Sequence, residues 1–236
     1  MAELVDRIPG RALAIYAHPD DADVSCGGTL AAWARGGCEV HLVVCTTGDK
    51  GTTSKGTDPG ELVVRRAREV LEASKLLGLS SVRRLEIPDG KVENSASLRG
   101  ELVGLVRLLR PEIVLCPDPT AVLFGEHYFN HRDHREAGWA ALDALSPAAS
   151  SPLYFPERGE PHQVGVVLLS GTLEPVVFVD ITATIDLKAD AIGCHASQLG
   201  EAGEWFRTVV RERAEEAGRQ AGVRFAEGFR RLRLDG

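Results

Sequence analysis

The chain has 236 residues, long enough to bury a sizeable core, and the simplest organisation is a single domain spanning residues 1–236. Its 44% apolar and 26% charged residues exclude disordered and fibrous architectures. A formal charge of -7, with basic residues scattered rather than massed, excludes a surface built for nucleic-acid phosphates. No uncharged run is long enough to span a bilayer and no basic, apolar leader opens the chain, so a cytoplasmic protein without a membrane span is expected. Cys26, Cys38, Cys45, Cys116 and Cys194 are odd in number and widely spaced, which predicts reduced thiols with no metal role.

In chain order, residues 11–17 form a short apolar run that reads as a strand and leads straight into His18-Pro19-Asp20-Asp21. Residues 26–37 contain a helical core that starts near one glycine pair and stops at another, and residues 39–46 read as a second strand. Residues 47–60 are too rich in Gly, Ser and Thr to be an element and form a surface loop long enough to border a site. Leu62, Val63, Ala67, Val70, Leu71, Ser74 and Leu77 recur at helical intervals, and Gly78 stands where a C-terminal cap belongs. A third strand over 82–87, a turn at 88–91, a helix over 98–109 that ends before Pro111, and a fourth strand over 112–117 follow. Beyond them lie a loop over 118–130, a helix near 134–145 and a Pro-rich loop over 146–161. Strands near 164–169 and 176–180 precede helices that include 201–217 and 222–234. This alternation predicts the α/β class, a Rossmann-like three-layer fold with a mostly parallel sheet flanked by helices.

In such a sheet ligands sit beyond the carboxyl ends of the strands, so an imidazole and two carboxylates at the end of the first strand are aimed into a cleft. A catalytic zinc takes three protein ligands and keeps a fourth position open, so one more donor is needed. His131-Arg132-Asp133-His134, brought to the same edge by the fourth strand, can supply it. His131 and His134 are three apart and share a helix face, so one can bind metal while the other meets substrate. Nitrogen and oxygen donors with no thiolate nearby suit catalytic zinc, and they also accept another divalent ion such as Fe2+. Adjacent carboxylates repel, and a cation bound by one leaves the other free. Asp20 is then the base for a water whose pKa a metal lowers from ~15.7 to ~7. A protonated His131, held by Asp133, is expected to stabilise the oxyanion and protonate a leaving amine. His41, inside a strand, and His127 and His162, in loops, receive no role.

Ala17-His-Pro-Asp-Asp21 and His131-Arg-Asp-His134 resemble, in this order, the two metal motifs of the PIG-L, or LmbE-like, zinc-dependent N-acetylglucosaminyl deacetylases. The likeness continues through Cys26-Gly-Gly-Thr-Leu30, Thr47-Gly-Asp-Lys-Gly51, Arg66-Ala-Arg-Glu69 and His195-Ala-Ser-Gln198. The resemblance implies an LmbE-like fold, zinc on His18, Asp21 and His134, Asp20 as general base, and His131 stabilising the transition state with Asp133 behind it. It further implies that Arg66 and Asp89 contact substrate. A helix-surface salt bridge from Arg66 to Glu69 and plain turn chemistry at Asp89 are the alternatives. Arg132 stands where a proline is common, Ala22 where an acidic residue often follows, and Phe129 where several relatives carry a tyrosine, with Tyr128 beside it. The implied partner is a small N-acetylated amino sugar of the N-acetylglucosamine type, cleaved to acetate and a free amine. The competing readings are an amidase on a larger thiol-sugar conjugate and a noncatalytic sugar- or nucleotide-binding module. The missing Gly-x-Gly-x-x-Gly disfavours the dinucleotide version of the latter. The resemblance and Trp205-Phe206 suggest a homo-oligomer, and loops 47–60, 118–130 and 146–163 are expected to recognise the substrate beyond its sugar.

Overall fold

The computed structural model describes residues 3–52, 54–200 and 205–234. Its centre is an eight-stranded sheet made of β1 (Glu3–Leu4), β2 (Arg11–Tyr16), β3 (Glu39–Thr46), β4 (Ser81–Ile87), β5 (Ile113–Pro117), β8 (Val166–Ser170), β9 (Val177–Asp180) and β10 (Ala226–Arg233). The intervening β6 (Leu123–Phe124) and β7 (Tyr128–Phe129) form a separate antiparallel hairpin inside what the sequence reads as plain loop. The order is β1-β9-β10-β8-β5-β2-β3-β4. β4, β3, β2, β5 and β8 pair in parallel, and β10 runs antiparallel between β8 and β9.

The chain leaves β2 toward β3 on one side and returns to β5 on the other, so the gap between the carboxyl ends of β2 and β5 is the topological switch point. Alternation along β2 serves two cores. Leu13, Ile15 and Ala17 pack against α3 (Ala96–Leu109) and α4 (Arg132–Asp143), whereas Ala12, Ala14 and Tyr16 face α1 (Asp21–Arg35), α2 (Pro59–Leu77), α5 (Ile185–Gly193) and α7 (Trp205–Ala221). A strand buried on both faces reads as an unbroken apolar run, as 11–17 does. The short α6 (Ala196–Leu199) follows α5. No described helix is long and apolar enough to cross a membrane.

Two elements differ from the sequence expectation. Residues 222–234 are not helical: after Gly222 the chain enters β10, whose Phe229 is fully buried between sheet and helices. The arginines at 230, 231 and 233 mask the strand pattern, and pairing with β8 and β9 overrides helix propensity. The first helix begins at Asp21 rather than near the glycines, and it breaks at Cys26 (φ -147°, ψ 18°). The glycines mark that break and not the helix start. Gly28 and Thr29, left with free amides there, donate to the Glu227 carboxylate at 3.0 and 2.7 Å. Lys188 bridges the break by donating to Val24 O at 2.8 Å and to Glu227 at 2.5 Å.

The Pro-rich passage also differs from its expected role. Arg107, buried on α3, donates to the carbonyls of Ala148, Ala149, Ser151, Tyr154, Phe155 and Gly159 and clamps this passage against the helix. It follows the C-terminal end of α4, the end remote from the switch point, and contributes nothing to the wall of the cleft described below.

Candidate metal centre

β2 ends at Tyr16, and the next residues turn into α1, so His18, Asp20 and Asp21 fall at the switch point. From the other side, β5 leads through the hairpin to α4. Gly138 lets α4 lie against the end of β5, because a Cβ there would stand 2.5 Å from Pro117 O. The first turn of α4 thereby carries His131, Asp133 and His134 to the same gap. His131 caps this helix: its Nδ1 accepts from Asp133 N at 3.2 Å.

Three electron-pair donors meet in the gap. His18 Nδ1 lies 3.1 Å from His134 Nε2 and 3.4 Å from Asp21 Oδ2, and His134 Nε2 lies 3.1 Å from Asp21 Oδ1. Ligands bonded tetrahedrally at ~2.0–2.1 Å sit about 3.3 Å apart, so these separations suit one small cation held by all three. The outer nitrogens agree. His18 Nε2 is 3.2 Å from Asp89 Oδ1 and 3.6 Å from Asp133 Oδ2, and His134 Nδ1 is 3.0 Å from Asn130 Oδ1. Each acceptor draws the ring proton outward and turns a lone pair into the gap. Without a cation, two such lone pairs and a carboxylate would repel one another.

The electrostatics tell the same story. Burial opposes charge on His18, yet Asp21, Asp133 and Asp89 push its pKa up to about 12. Burial likewise opposes charge on Asp21, but His134 and His18 hold it well below the ordinary carboxylate range. The pocket thus demands positive charge, which a proton or a divalent ion can provide. A second grouping, His18 with His131 and Asp133, fits a cation poorly. The Asp133 carboxylate already accepts from Gly90 N at 2.6 Å and Val92 N at 3.3 Å, and His131 Nδ1 is engaged as the helix cap.

Asp133, fully buried, faces His18 through its carboxylate and meets His131 only through its backbone amide, which differs from the expected Asp133-to-His131 ring contact. The pKa of His131 moves down rather than up, because burial and then the charge on His18 outweigh the attraction of Asp133. Its ring centroid stands 4.9 Å from that of His18 and 5.6 Å from that of His134, beside the triad rather than within it.

The two residues expected at the substrate are each bonded to another residue of the site. Arg66, 2% exposed, donates to Asp20 Oδ1 at 2.6 Å and to Gly48 O at 3.1 Å. Its i+3 neighbour Glu69 pairs with Arg65 at 3.2 Å and accepts from Ser197 N at 2.8 Å. Gly48 (φ 67°) makes room for the guanidinium, which any Cβ there would strike. Asp89 is buried and turned to His18; its amide donates to Asp49 Oδ1 at 2.7 Å and its carbonyl accepts from Lys50. The loop 47–51 thus grips the turn that supports His18. Of the remaining short motif, His195 is buried on Asp23 at 2.7 Å, and Gln198 donates to Gly51 O at 2.9 Å.

Sequence reasoning missed Asn130, whose signal is its position four residues before His134, just ahead of the helix cap His131. It also missed Arg213, which lines the adjoining cleft and for which no local pattern existed. That cleft, ≈ 640 Å³, is walled by Asp20, Asp21 and Ser25 of the α1 segment, Phe124 and Tyr128 of the hairpin, and Arg213 of α7, with His134 at its inner end.

Comparison with known proteins shows the family. Residues 13–145 match the family described as PIG-L: GlcNAc-PI de-N-acetylase. A diacetylchitobiose deacetylase of Thermococcus kodakarensis is 33% identical over 224 residues, 93% of this chain and 82% of that protein. An N,N'-diacetylchitobiose deacetylase from Pyrococcus horikoshii, solved with an inhibitor, superposes with a TM-score of 0.87 at 29% identity, covering 95% of this chain and 84% of that one. A 4-oxalmesaconate hydratase of Pseudomonas putida is 28% identical over 228 residues, 92% of this chain and 85% of that protein.

Proposed function

This chain belongs to the PIG-L family, and from that premise we propose that it is a zinc-dependent N-deacetylase that removes the acetyl group from an N-acetylglucosamine-type sugar. The observation that carries the reading is the convergence of His18 Nδ1, Asp21 and His134 Nε2 at the switch point, with Asp20 on the cleft beside them. Those three residues would hold the metal. When bound, zinc supplies Lewis-acid polarisation of the acetamide carbonyl and acidifies a water at the same centre.

The protein's own groups do the rest. Asp20 takes the proton of the attacking water. Arg66 positions it, since a bidentate-capable guanidinium at 2.6 Å fixes one carboxylate oxygen and leaves the other to the cleft. His131 has Nδ1 committed to Asp133 N, which leaves Nε2 carrying the ring proton in the neutral tautomer. From there it donates a hydrogen bond to the oxyanion, and the proton that Asp20 took from the water goes on to the departing amine. A depressed pKa suits that role, because it keeps the ring neutral with the proton on Nε2 as a hydrogen-bond donor. Asp133 and Asp89 keep His18 turned so that Nδ1 meets the metal. The nearby small sugar relatives and the cleft's size support a small-molecule substrate, and the five unpaired cysteines support residence in the reducing cytoplasm. Trp205, 68% exposed at the start of α7, supports self-association, which native mass measurement tests.

Acetate release from a panel of N-acetylated sugars, with and without chelator, tests the reading. Asp20→Asn should lower turnover by ~10²–10⁴-fold while the metal content stays at the wild-type level. Loss of metal in that variant would contradict the division between Asp20 and Asp21. Water addition to a double bond in an oxo acid, with no acetate from any sugar, would move the chain to the hydratase side of its relatives.

A further inference from the structure

We propose that Arg213 forms an anion-binding subsite on the metal cleft, so that the preferred acetamido sugar carries a carboxylate or phosphate on the part that lies toward α7. The proposal rests on the deacetylase reading for where the acetamide sits and adds what the rest of the substrate must be. A census of the charged side chains on the cleft wall carries it. Asp20 is paired with Arg66, and Asp21 and His134 are turned to each other at the metal centre. Asp118 accepts from Thr120 N at 2.9 Å and Thr120 Oγ1 at 2.6 Å.

Arg213 alone is uncommitted: it lines the cleft and makes no ion pair or hydrogen bond among the described residues. Its i+3 neighbour on α7, Glu216, lies within reach of a helical salt bridge but pairs with Arg219. In a chain of net charge -7 an arginine left without a carboxylate, on the wall of a cleft that adjoins the metal centre, is a cation held in reserve. Guanidinium forks match carboxylate and phosphate oxygens in pairs. The opposite wall suits the sugar itself. Cross-strand pairing sets Phe124 with Tyr128, ring centroids 5.6 Å apart, on the cleft side of the hairpin, where they offer an apolar face to a pyranose ring. Their hairpin partners Leu123 and Phe129 are 62% and 60% exposed.

The test is calorimetric binding to the metal-loaded protein, for wild type, Arg213→Ala and Arg213→Lys. The probes are N-acetylglucosamine, its 1-phosphate and 6-phosphate, and N-acetylmuramic acid. In wild type at least one anionic probe should bind on the order of tenfold tighter than the neutral sugar, and the advantage should shrink with added salt. Arg213→Ala should bring that ratio to about one, and Arg213→Lys should restore part of it. The phosphate and carboxylate probes separate the two sources of charge. Equal affinities in wild type, or a preference that survives in Arg213→Ala, would overturn the subsite. Acetate release from the same probes is scored separately: an anion preference without any turnover keeps the subsite and refutes the deacetylase reading.

Discussion

The two segments that would deliver the metal ligands are built on opposite plans. The His134 segment is supported locally. His131 caps its own helix, and Asn130, four residues upstream, orients the His134 ring. The His18–Asp21 segment is supported from afar. Its ring is fixed by Asp89 and Asp133, its Asp20 carboxylate is fixed by Arg66, and the broken helix that follows it is closed by Lys188 and Glu227. One segment stands on its neighbours and the other on the fold. Damage to the first should therefore stay local, whereas the second should fail from positions far outside its own motif.

The largest expected effect tests that asymmetry directly. Lys188→Met leaves the carboxylate of Glu227 buried and unpaired, 5% exposed, at the break in α1. It should cost about 3–5 kcal/mol of unfolding free energy in denaturant titration. Metal affinity should fall as well, because the break sets the direction of the turn that carries Asp21. Unchanged affinity in a folded Lys188→Met protein would show that α1 needs no strut.

A smaller effect compares the two imidazoles. Asp133→Asn removes the negative charge facing the outer nitrogen of His18, Asn130→Ala removes the acceptor facing that of His134, and each should weaken metal binding by ~10–100-fold in chelator competition. If Asp133 served His131 instead of His18, its substitution would depress turnover and leave metal affinity alone. Per unit step, the pH effect is the smallest. His18 holds a proton up to about 12 without a cation, so binding must expel that proton. Apparent affinity should then rise with pH by about tenfold per unit below that value, through the neutral range. A flat profile would mean that the ring is already neutral before metal arrives.

The same contrast explains what could be read from the chain alone. Strands 39–46 and 112–117 and the α2 and α3 helices are written in local periodicity, caps and residue type, and they stand where expected. His18, Asp21 and His134 fall together because strand-to-helix alternation sends both motifs to one sheet edge. What stayed hidden depends on distant partners. Nothing near Arg66 says that it turns to Asp20, and nothing near Asp133 says that its carboxylate passes by the adjacent His131 to reach His18. The 222–234 segment was misread for the same reason, since only β8 and β9 make it a strand. Loop 146–163 was expected to recognise substrate, and nothing in it says that one buried arginine binds six of its carbonyls.

Anomalous diffraction from crystals of the zinc-loaded protein, collected on both sides of the zinc absorption edge, tests the account at its centre. A single peak is expected within ~2.0–2.2 Å of His18 Nδ1, an Asp21 oxygen and His134 Nε2, with Asp20 and His131 outside the coordination sphere. A peak seated instead on His131 and Asp133, or no ordered zinc between the two segments, would contradict it.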